Sequence, residues 1–492
     1  MKAFYKEANF HWFLVYLFLG VVVSTILIIF LQFRSYYGDI NFYVSAALDF
    51  NVNLVLILFI FFALPLIYSI ALIIQYIRNL KHKTFFHISR IHKFLPLILL
   101  VFFSLGGLIL LFLINSYSKH LFIMFQFYSI FIYPLLIFVP LIFFTILVKK
   151  YGNRLLRIYN KWIAKNSPQK LNLGIFFGIY LFSWFYPLIF MPANVIPYSL
   201  PEKPKIIAHR GGSAMGPENT IEVVETSLNY DIVGWEVDIS ISKDGIPFLM
   251  HDDTLKRTTN VEEIFSSRQN DAPSSFTWAE LQKLNAGAWF VERDPYGTIA
   301  SGKVTPKQVE AYKHAKIPSF EQVLNFTREH NIRLDYDDKN PPEDHPYAGN
   351  FTEILFNMTV NLMDDLSNIM IPTSSERWLN LIDAYNVTEI WTGRDYINTG
   401  DGYSNSQYRQ FYEDEFPVMV YTINSYERFS QLWCLGVQWV KTDTPYKFSD
   451  VYTPIWFMDL PLYYFLWGCL YLISISLLGY SIKKLNTSEN IK

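Results

Sequence analysis

The sequence predicts a bundle of six transmembrane α-helices combined with an α/β domain of the TIM-barrel class. Two observations lead to this fold class. Apolar residues make up 51% of the 492-residue chain, and they are concentrated in six long blocks. Between the fifth and sixth blocks, short segments rich in Val and Ile alternate with helix-like stretches, which is typical of parallel βα units. This polar part has about 250 residues, the usual size of one α/β barrel.

Each apolar block is long enough to cross a bilayer, which takes about 20 residues of α-helix. The blocks are Trp12–Phe33, Asn53–Ile77, Phe94–Ile114, Leu121–Val148, Leu173–Met191 and Leu460–Ile482. A cleaved signal peptide is the alternative for the first block, but that block is long, lacks an obvious small-residue cleavage site and is followed by further spans. We therefore divide the chain into a membrane region over 1–194, the barrel over 195–454, and a last span with a short tail over 455–492.

The positions of Lys and Arg predict the orientation of the spans, because short cytoplasmic loops carry these residues in excess. Basic residues are dense in the second loop, from Arg78 to Lys93, and in the fourth, from Lys149 to Lys170. Both termini are then cytoplasmic and the barrel is extracellular or lumenal. This predicts a multi-pass protein of the plasma membrane or of another secretory-pathway membrane. Four glycosylation sequons fall on the barrel side, at Asn325, Asn350, Asn357 and Asn386.

Charge and cysteine content argue against a nucleic-acid-binding protein and against a protein built on a disulfide framework. A net charge of -2 does not supply the basic surface that nucleic acid requires. The chain has only two cysteines, Cys434 in the polar part and Cys469 in an apolar block, which predicts free thiols rather than a disulfide framework. We therefore expect no nucleic-acid partner.

Predicted elements of the polar part place charged side chains where strands end. The predicted strands are Lys205–His209, Trp235–Ile241, Pro247–His251, Ile332–Asp337, Asn368–Ile371, Val418–Thr422 and Val437–Thr442, and the predicted helices are Asn219–Asn229, Phe320–Glu329 and Tyr426–Leu435. The carboxyl ends of barrel strands meet at one mouth, where catalytic groups collect. The residues His209, Arg210, His251, Asp337 and Lys339 all lie at or just after such ends.

Glu236 and Asp238 lie two residues apart in one predicted strand, so both carboxylates point to the same face. Two acids side by side inside a barrel repel each other unless a cation lies between them. Asp335 and Asp337 repeat this spacing on another strand, and only one of the two need be functional. Asp338 is assigned to a solvated loop. Taken alone, either histidine is more often structural than catalytic, and Arg210 could be a surface ion pair instead of a phosphate ligand.

Three motifs in order carry a resemblance to a known family. They are "HRGGSAMGPENT", "WEVDISISKDG" and "PFLMHDDTLKRTT". In combination they resemble the glycerophosphodiester phosphodiesterase family. The stretches "NIRLDYDDKNPP" and "LWCLGVQWVKTDTP" resemble its multipass membrane branch, which has five spans before the catalytic domain and one after it.

The resemblance implies a role for each of these residues. Glu236, Asp238 and Asp337 would bind one divalent metal ion, with Ca²⁺ favoured by the oxygen ligands and Mg²⁺ or Zn²⁺ as alternatives. Many family members carry Glu where Asp337 stands, so Asp335 is the alternative third ligand. The resemblance further assigns acid and base roles to His209 and His251, and phosphate binding to Arg210 and Lys339. Asn219 would either hold the first loop in place or contact the substrate.

The implied activity is metal-dependent hydrolysis of glycerophosphodiesters, or of related phospholipid or glycosylphosphatidylinositol headgroups, at the outer membrane face. The expected partners are such a phosphodiester and membrane lipids, and the oligomeric state stays open. Two alternatives remain. One is a lyase of the phospholipase type that stops at a cyclic phosphate. The other is a catalytically silent receptor or scaffold.

Overall fold

The computed structural model describes residues 53–82, 191–372 and 375–489, together with scattered residues between 13 and 27, 89 and 99, 127 and 149, and 184 and 189. The chain divides into two compact units, one of Met1–Pro192 with Leu460–Lys492 and the other of Ala193–Asp459. At least half of each of four predicted spans lies outside the described residues: Trp12–Phe33, Phe94–Ile114, Leu121–Val148 and Leu173–Met191.

Two helices of the first unit correspond to the predicted second and sixth spans. These are Leu54–His82 and Leu460–Glu489. Among the described residues, they are the helices long and apolar enough to cross a membrane, over Val55–Asn79 and Leu460–Lys484. Pro65 lies inside the first of them, which membrane-spanning helices tolerate. By length and composition, each of these two helices could span a membrane.

The second unit is built on eight parallel strands in barrel order. The strands of the unit are β1 Val195–Ile196, β2 Lys205–Ala208, β3 Ile232–Ile241, β4 Pro247–Leu249, β5 Arg333–Asp338, β6 Ile369–Ile371, β7 Trp391–Thr392, β8 Ile397–Gly400, β9 Val418–Tyr421, β10 Trp439–Thr442 and β11 Met458–Asp459. The main sheet runs β7-β6-β5-β3-β2-β10-β9-β8, and β4 pairs antiparallel with β3 at the side. Around the sheet, the eight parallel strands follow one another in chain order. The last of them, β10, pairs with the first, β2, and β7 and β8 are the two edge strands. This is the strand order of a TIM barrel.

Ten helices connect or flank these strands in the described part of the second unit. They are α1 Ile221–Ser227, α2 Val261–Ile264, α3 Trp278–Leu281, α4 Ala288–Arg293, α5 Pro306–Tyr312, α6 Phe320–His330, α7 Phe351–Leu362, α8 Glu376–Ala384, α9 Asn405–Glu413 and α10 Tyr426–Cys434. The α6 helix shows why they form where they do. Ser319 and Gln322 make a capping box at its start, and Asn331 takes the left-handed conformation at its end.

Alternate residues of each strand point outward, toward the helices, and inward, toward the barrel interior. Trp235 of β3 points outward and donates its indole N–H to Thr327 Oγ1 of α6 over 3.0 Å. Tyr336 of β5 likewise bonds Thr359 Oγ1 of α7 over 2.7 Å. These outward residues belong to the apolar core between sheet and helices. Their neighbours along each strand, including Glu236, therefore face the interior, as period-two geometry requires.

Two short strands close the unit at its ends. β1 and β11 pair in parallel, Val195 with Met458 and Ile196 with Asp459. Arg409 of α9 donates to the carbonyl oxygen of Val195 over 3.0 Å. The chain therefore enters and leaves the barrel unit at one place.

Candidate active site

The first loop of the site is a tight turn that follows β2. Residues His209–Gly211 form a 3₁₀ turn in which Arg210 has φ 50°. Gly211 and Gly212 have φ 81° and 94°, a region that favours glycine. A Cβ atom at Gly211 would lie 2.6 Å from Val223 Cγ1, and one at Gly212 would lie 2.4 Å from Ser227 Oγ. The glycines therefore let the turn pack against α1 while His209 and Arg210 face the mouth.

His209 is held by an aspartate from the far end of the unit. Its Nδ1 lies 2.6 Å from Asp443 Oδ1, and its Nε2 lies 3.9 Å from Glu236 Oε2. Burial alone would lower the pKa of His209, but the negative charges of Glu236 and Asp443 outweigh it and the pKa is raised. Burial would raise the pKa of Asp443, yet the hydrogen bond with His209 lowers it. The pair therefore favours an imidazolium facing a carboxylate.

Asp443 was given no role by the sequence reasoning, although it lies in the quoted "VKTDTP" stretch. It follows the carboxyl end of β10, which was the one available signal. Ser213 Oγ donates to its Oδ1 over 2.8 Å and Asn424 Nδ2 to its Oδ2 over 2.7 Å. With these bonds the carboxylate is fixed in one orientation toward His209.

Three carboxylates converge beside this histidine. Glu236 and Asp238 of β3 and Asp337 of β5 each offer an oxygen, and these oxygens lie within 4.8 Å of one another. Neighbouring strands produce this grouping, because Asp238 pairs in register with Asp337. Burial, with the adjacent charge of Glu236, raises the pKa of Asp238. A cation near the group would relieve this cost.

The side chains around the three carboxylates include the other predicted residues. Asn219 Nδ2 donates to Asp238 Oδ2 over 2.8 Å, while Asn219 Oδ1 accepts the Asp238 N–H over 3.2 Å. Lys339 Nζ lies 2.7 Å from Asp337 Oδ2 and 3.1 Å from Asp238 Oδ1. Asn219 therefore fixes the first loop onto β3, which is one of its two predicted roles.

The donor set fits a hard divalent cation. All three side chains offer carboxylate oxygens, the ligands that Ca²⁺ and Mg²⁺ prefer. Asp238 is fully buried, and Lys339 Nζ lies 3.1 Å from its Oδ1 without a hydrogen bond of good geometry between the two. A buried carboxylate oxygen of this kind is suited to ligate a metal. Glu236 is oriented by the Arg210 backbone N–H, which donates to its Oε2 over 2.8 Å.

Asp335, the alternative third ligand, has different partners. It is fully buried and forms an ion pair with Lys441 of β10, and Tyr396 donates its hydroxyl to Asp335 Oδ1 over 3.4 Å. Burial alone would lower the pKa of Lys441, but the charge of Asp335 raises it. The carboxylate that converges with those of Glu236 and Asp238 is therefore that of Asp337, not that of Asp335.

The second histidine begins a chain of charged side chains. His251 Nδ1 lies 2.8 Å from Asp252 Oδ1. Arg257 donates to Asp252 over 2.6 and 2.8 Å and to Glu218 over 2.7 and 2.6 Å. Glu218 in turn accepts from Arg210 Nη1 over 3.1 Å. Both histidines are thus connected to Arg210, one through Glu236 and the other through this chain.

Arg257 and Glu218 were not predicted as site residues, although both lie in quoted motifs. Arg257 is 41% exposed in its side chain and Glu218 only 5%. Burial would raise the pKa of Asp252, but its hydrogen bonds with His251 and Arg257 lower it well below its usual range. Asp252 therefore carries its charge throughout the neutral range and holds the His251 ring.

A cleft opens on one side of the carboxylate group. It has a volume of about 890 Å³ and is lined by Asp337, Asp338, Glu343, Thr352 and Arg377 among others. The prediction that Asp338 belongs to a solvated loop is wrong. It is the last residue of β5, is half-buried and accepts a hydrogen bond from Trp378 Nε1 over 3.2 Å.

Comparison with known proteins finds a family model that matches part of the chain. Residues 209–360 match the model of the Glycerophosphoryl diester phosphodiesterase family. The chain is 31% identical over 333 residues to the human glycerophosphoinositol inositolphosphodiesterase GDPD2, covering 64% of this chain and 60% of the relative. It is 32% identical over 327 residues to mouse glycerophosphodiester phosphodiesterase domain-containing protein 5, covering 64% and 53%. The chain thus spans less than two thirds of the length of these relatives.

Among solved structures, the chain resembles an Oleispira antarctica phosphodiesterase in complex with the product sn-glycerol-3-phosphate. The sequences are 20% identical, the TM-score is 0.39, and the match covers 50% of this chain and 94% of that one. A glycerophosphodiester phosphodiesterase from Agrobacterium tumefaciens matches with 20% identity and a TM-score of 0.38, over 50% of this chain and 100% of that one.

Proposed function

We propose that this chain, whose residues 209–360 match the model of the Glycerophosphoryl diester phosphodiesterase family, is a membrane-attached phosphodiesterase. It hydrolyses glycerophosphodiesters or related phospholipid or glycosylphosphatidylinositol headgroups. His209 and His251 serve as the general acid and base, and a divalent metal ion is required. The human relative is named for glycerophosphoinositol, and we extend that substrate class to this chain as part of the proposal.

The observation that carries the proposal is a pair of His–Asp contacts that use the same ring nitrogen. His209 and His251 each face an aspartate through Nδ1, over 2.6 and 2.8 Å. This contact selects the orientation of each ring and leaves Nε2 for proton transfer. Within the described residues, neither Nε2 atom makes a hydrogen bond. Two rings so prepared, beside a guanidinium and three carboxylates, suit acid–base cleavage of a phosphodiester.

Arg210 is positioned to bind the phosphate group. Its Nη1 contacts Glu218 and its Nε lies 3.4 Å from Asp238 Oδ2. Burial would lower its pKa, but Glu218 and Asp238 raise it, so the guanidinium stays charged. A planar guanidinium held on one side can present its remaining N–H groups to two phosphate oxygens. Lys339 adds a second positive charge at the same face.

Glu236, Asp238 and Asp337 would hold the metal ion, for which we favour Ca²⁺ over Mg²⁺ and Zn²⁺ because all three ligands are carboxylates. When bound, such an ion neutralises negative charge that develops on the phosphoryl oxygens. The cleft of about 890 Å³ beside Asp337 leaves room for an alcohol group larger than glycerol.

Membrane attachment belongs to the proposal as well. The chain leaves β11 directly into the Leu460–Glu489 helix, which is long and apolar enough to span a bilayer. The match to the human relative covers 64% of this chain, more than the barrel unit alone, so the similarity extends beyond the catalytic unit. We place the site at the extracellular or lumenal face of the plasma membrane or another secretory membrane, with both termini in the cytoplasm.

Phosphorus NMR of the products tests the reaction type. Purified full-length protein in detergent is incubated with glycerophosphoinositol, in the presence of Ca²⁺, Mg²⁺ or Zn²⁺ and after chelation. The proposal expects a phosphomonoester and no reaction without metal. A cyclic phosphate that persists would identify the lyase instead, and absence of any turnover with a panel of glycerophosphodiesters would favour the silent receptor.

A further inference from the structure

An ion pair crosses the interior of the barrel below the carboxylate group. Lys441 of β10 contacts Asp335 of β5, and their side chains are 4% and 0% exposed. In the sheet order β5-β3-β2-β10, two strands lie between the partners. The pair therefore spans the barrel interior instead of following one ladder.

The surroundings keep this pair in place. Tyr396 donates to Asp335 Oδ1 over 3.4 Å, and Lys441 Nζ lies 5.3 Å from the centre of the Tyr421 ring. One layer further down, the guanidinium of Arg333 lies 4.9 Å from the Trp439 ring. Both side chains are almost fully buried, so Asp335 depends on Lys441 for its counter-charge, while Lys441 faces the charge of Glu236 as well.

Asp335 lies close in register to the group that would bind the metal. On the paired strands Glu236 is opposite Asp335, and Asp238 is opposite Asp337. All four carboxylates therefore face the interior in two rows. Only three of them, those of Glu236, Asp238 and Asp337, converge within 4.8 Å in the described residues. The fourth is turned toward Lys441.

We propose that Lys441 is a positioning residue of the metal site. Its ammonium group holds Asp335 away from the three converging carboxylates and cancels its charge, so that Asp337 is the third ligand and the site takes one divalent ion. The inference rests on the proposed function only for the premise that a divalent metal binds.

Substitutions of Lys441 and Asp335 should change the affinity for the cation in opposite directions. Lys441→Met keeps the side-chain length and removes the positive charge, which leaves Asp335 uncompensated beside Glu236. A buried carboxyl without a counter-charge takes up a proton, but a cation in the site can displace that proton and gain Asp335 as a further carboxylate ligand, so we expect its dissociation constant to fall about tenfold or more. Asp335→Asn leaves Lys441 without a counter-charge, so its ammonium repels the cation and the dissociation constant rises. The double variant restores a neutral pair and should bind as the wild type does.

Calorimetric titration of Ca²⁺ into the chelated, purified full-length protein tests this cycle and requires no turnover. Thermal unfolding of each metal-free variant is the control for folding. Tighter binding by Lys441→Met, weaker binding by Asp335→Asn and wild-type binding by the double variant support the proposal. Equal or weaker binding by folded Lys441→Met would overturn it. If Lys441→Met does not fold, a double variant no tighter than Asp335→Asn would do the same.

Failure of this inference is distinct from failure of the proposed function. A wild-type protein that binds no divalent ion contradicts the metal-dependent function. A wild-type protein that binds Ca²⁺ while the three variants bind it equally contradicts only the role of Lys441.

Discussion

Replacing Asp443 by Asn would remove the charge that faces His209 while preserving the size of the side chain. In the native site the carboxylate receives hydrogen bonds from His209 Nδ1, Ser213 Oγ and Asn424 Nδ2, over 2.6, 2.8 and 2.7 Å. An amide cannot accept all three, because its nitrogen is a donor. A charge-assisted hydrogen bond contributes about 1.5–3 kcal/mol, so kcat/KM should fall by about 10- to 150-fold.

The same substitution should change the pH dependence in a definite direction. Burial lowers the pKa of His209, while Glu236 and Asp443 raise it above its ordinary value. Without the Asp443 charge, the pKa falls. The limb of the pH profile of kcat/KM that reports His209 should move to lower pH, whichever proton-transfer role the ring has.

The assay is hydrolysis of glycerophosphoinositol over a range of pH by the purified full-length chain. Ser213→Ala is the matched control, because it removes one hydrogen bond to Asp443 Oδ1 and keeps the carboxylate. We expect its pH profile to match the wild type. If Asp443→Asn retained both the wild-type kcat/KM and the wild-type limb, the role of Asp443 in holding His209 would be refuted.

Three further predictions concern the second histidine, the metal and the topology. Arg257→Gln leaves Glu218 and Asp252 without their shared partner, and we expect kcat/KM to fall about 10- to 100-fold. Arg257→Lys should be intermediate, because it keeps the charge but not the paired contacts. Steady-state kinetics equal to the wild type would contradict a role of Arg257 in holding His251 through Asp252. Ca²⁺ should raise the unfolding temperature of the wild type and leave that of Asp238→Asn unchanged, and a full Ca²⁺ response in the variant would exclude Asp238 as a ligand. Asn350 is exposed, so a lumenal barrel should carry a glycan there. The endoglycosidase-sensitive mass shift should then be smaller in Asn350→Gln by one glycan, and an unglycosylated barrel in cells would argue against the predicted orientation.

The sequence predicted the parts of the site that local geometry decides. Period-two alternation put Glu236 and Asp238 on one face of β3, and both do face the barrel interior. His209 and Asp337 were predicted as site residues because they lie at the carboxyl ends of predicted strands. Parallel strands of a barrel bring their carboxyl ends together at one mouth whatever the conformation of the loops between them, so residues at these ends are predictable as neighbours.

The residues that were missed depend on contacts between distant parts of the chain. Asp443 faces His209 across 234 positions, and its place directly after β10 was the one local signal for it. Lys441 is a charged residue inside a strand, which is explained only by Asp335 on the other side of the barrel. Pairing partners of this kind become visible only once the strand order is known.

Two of the barrel strands also escaped prediction for a physical reason. β7 has two residues, Trp391–Thr392, and β8 has the sequence INTG over Ile397–Gly400. Neither has the alternation or the apolar run that indicates a strand. Their conformation comes from pairing with β6 and β9, whose apolar residues were recognised. Asp338 was misassigned for the same reason, since its partner Trp378 lies on α8.

The most direct test of the account is the turnover of glycerophosphoinositol by His209→Ala and His251→Ala. Phosphorus NMR follows product formation by the purified full-length protein with Ca²⁺, and Ca²⁺ binding by each variant is measured as the control. General acid–base catalysis contributes about 10²- to 10⁴-fold, so each variant should lose at least about 100-fold in rate while still binding the metal. Turnover near the wild-type rate in either variant would contradict the assignment of the two histidines.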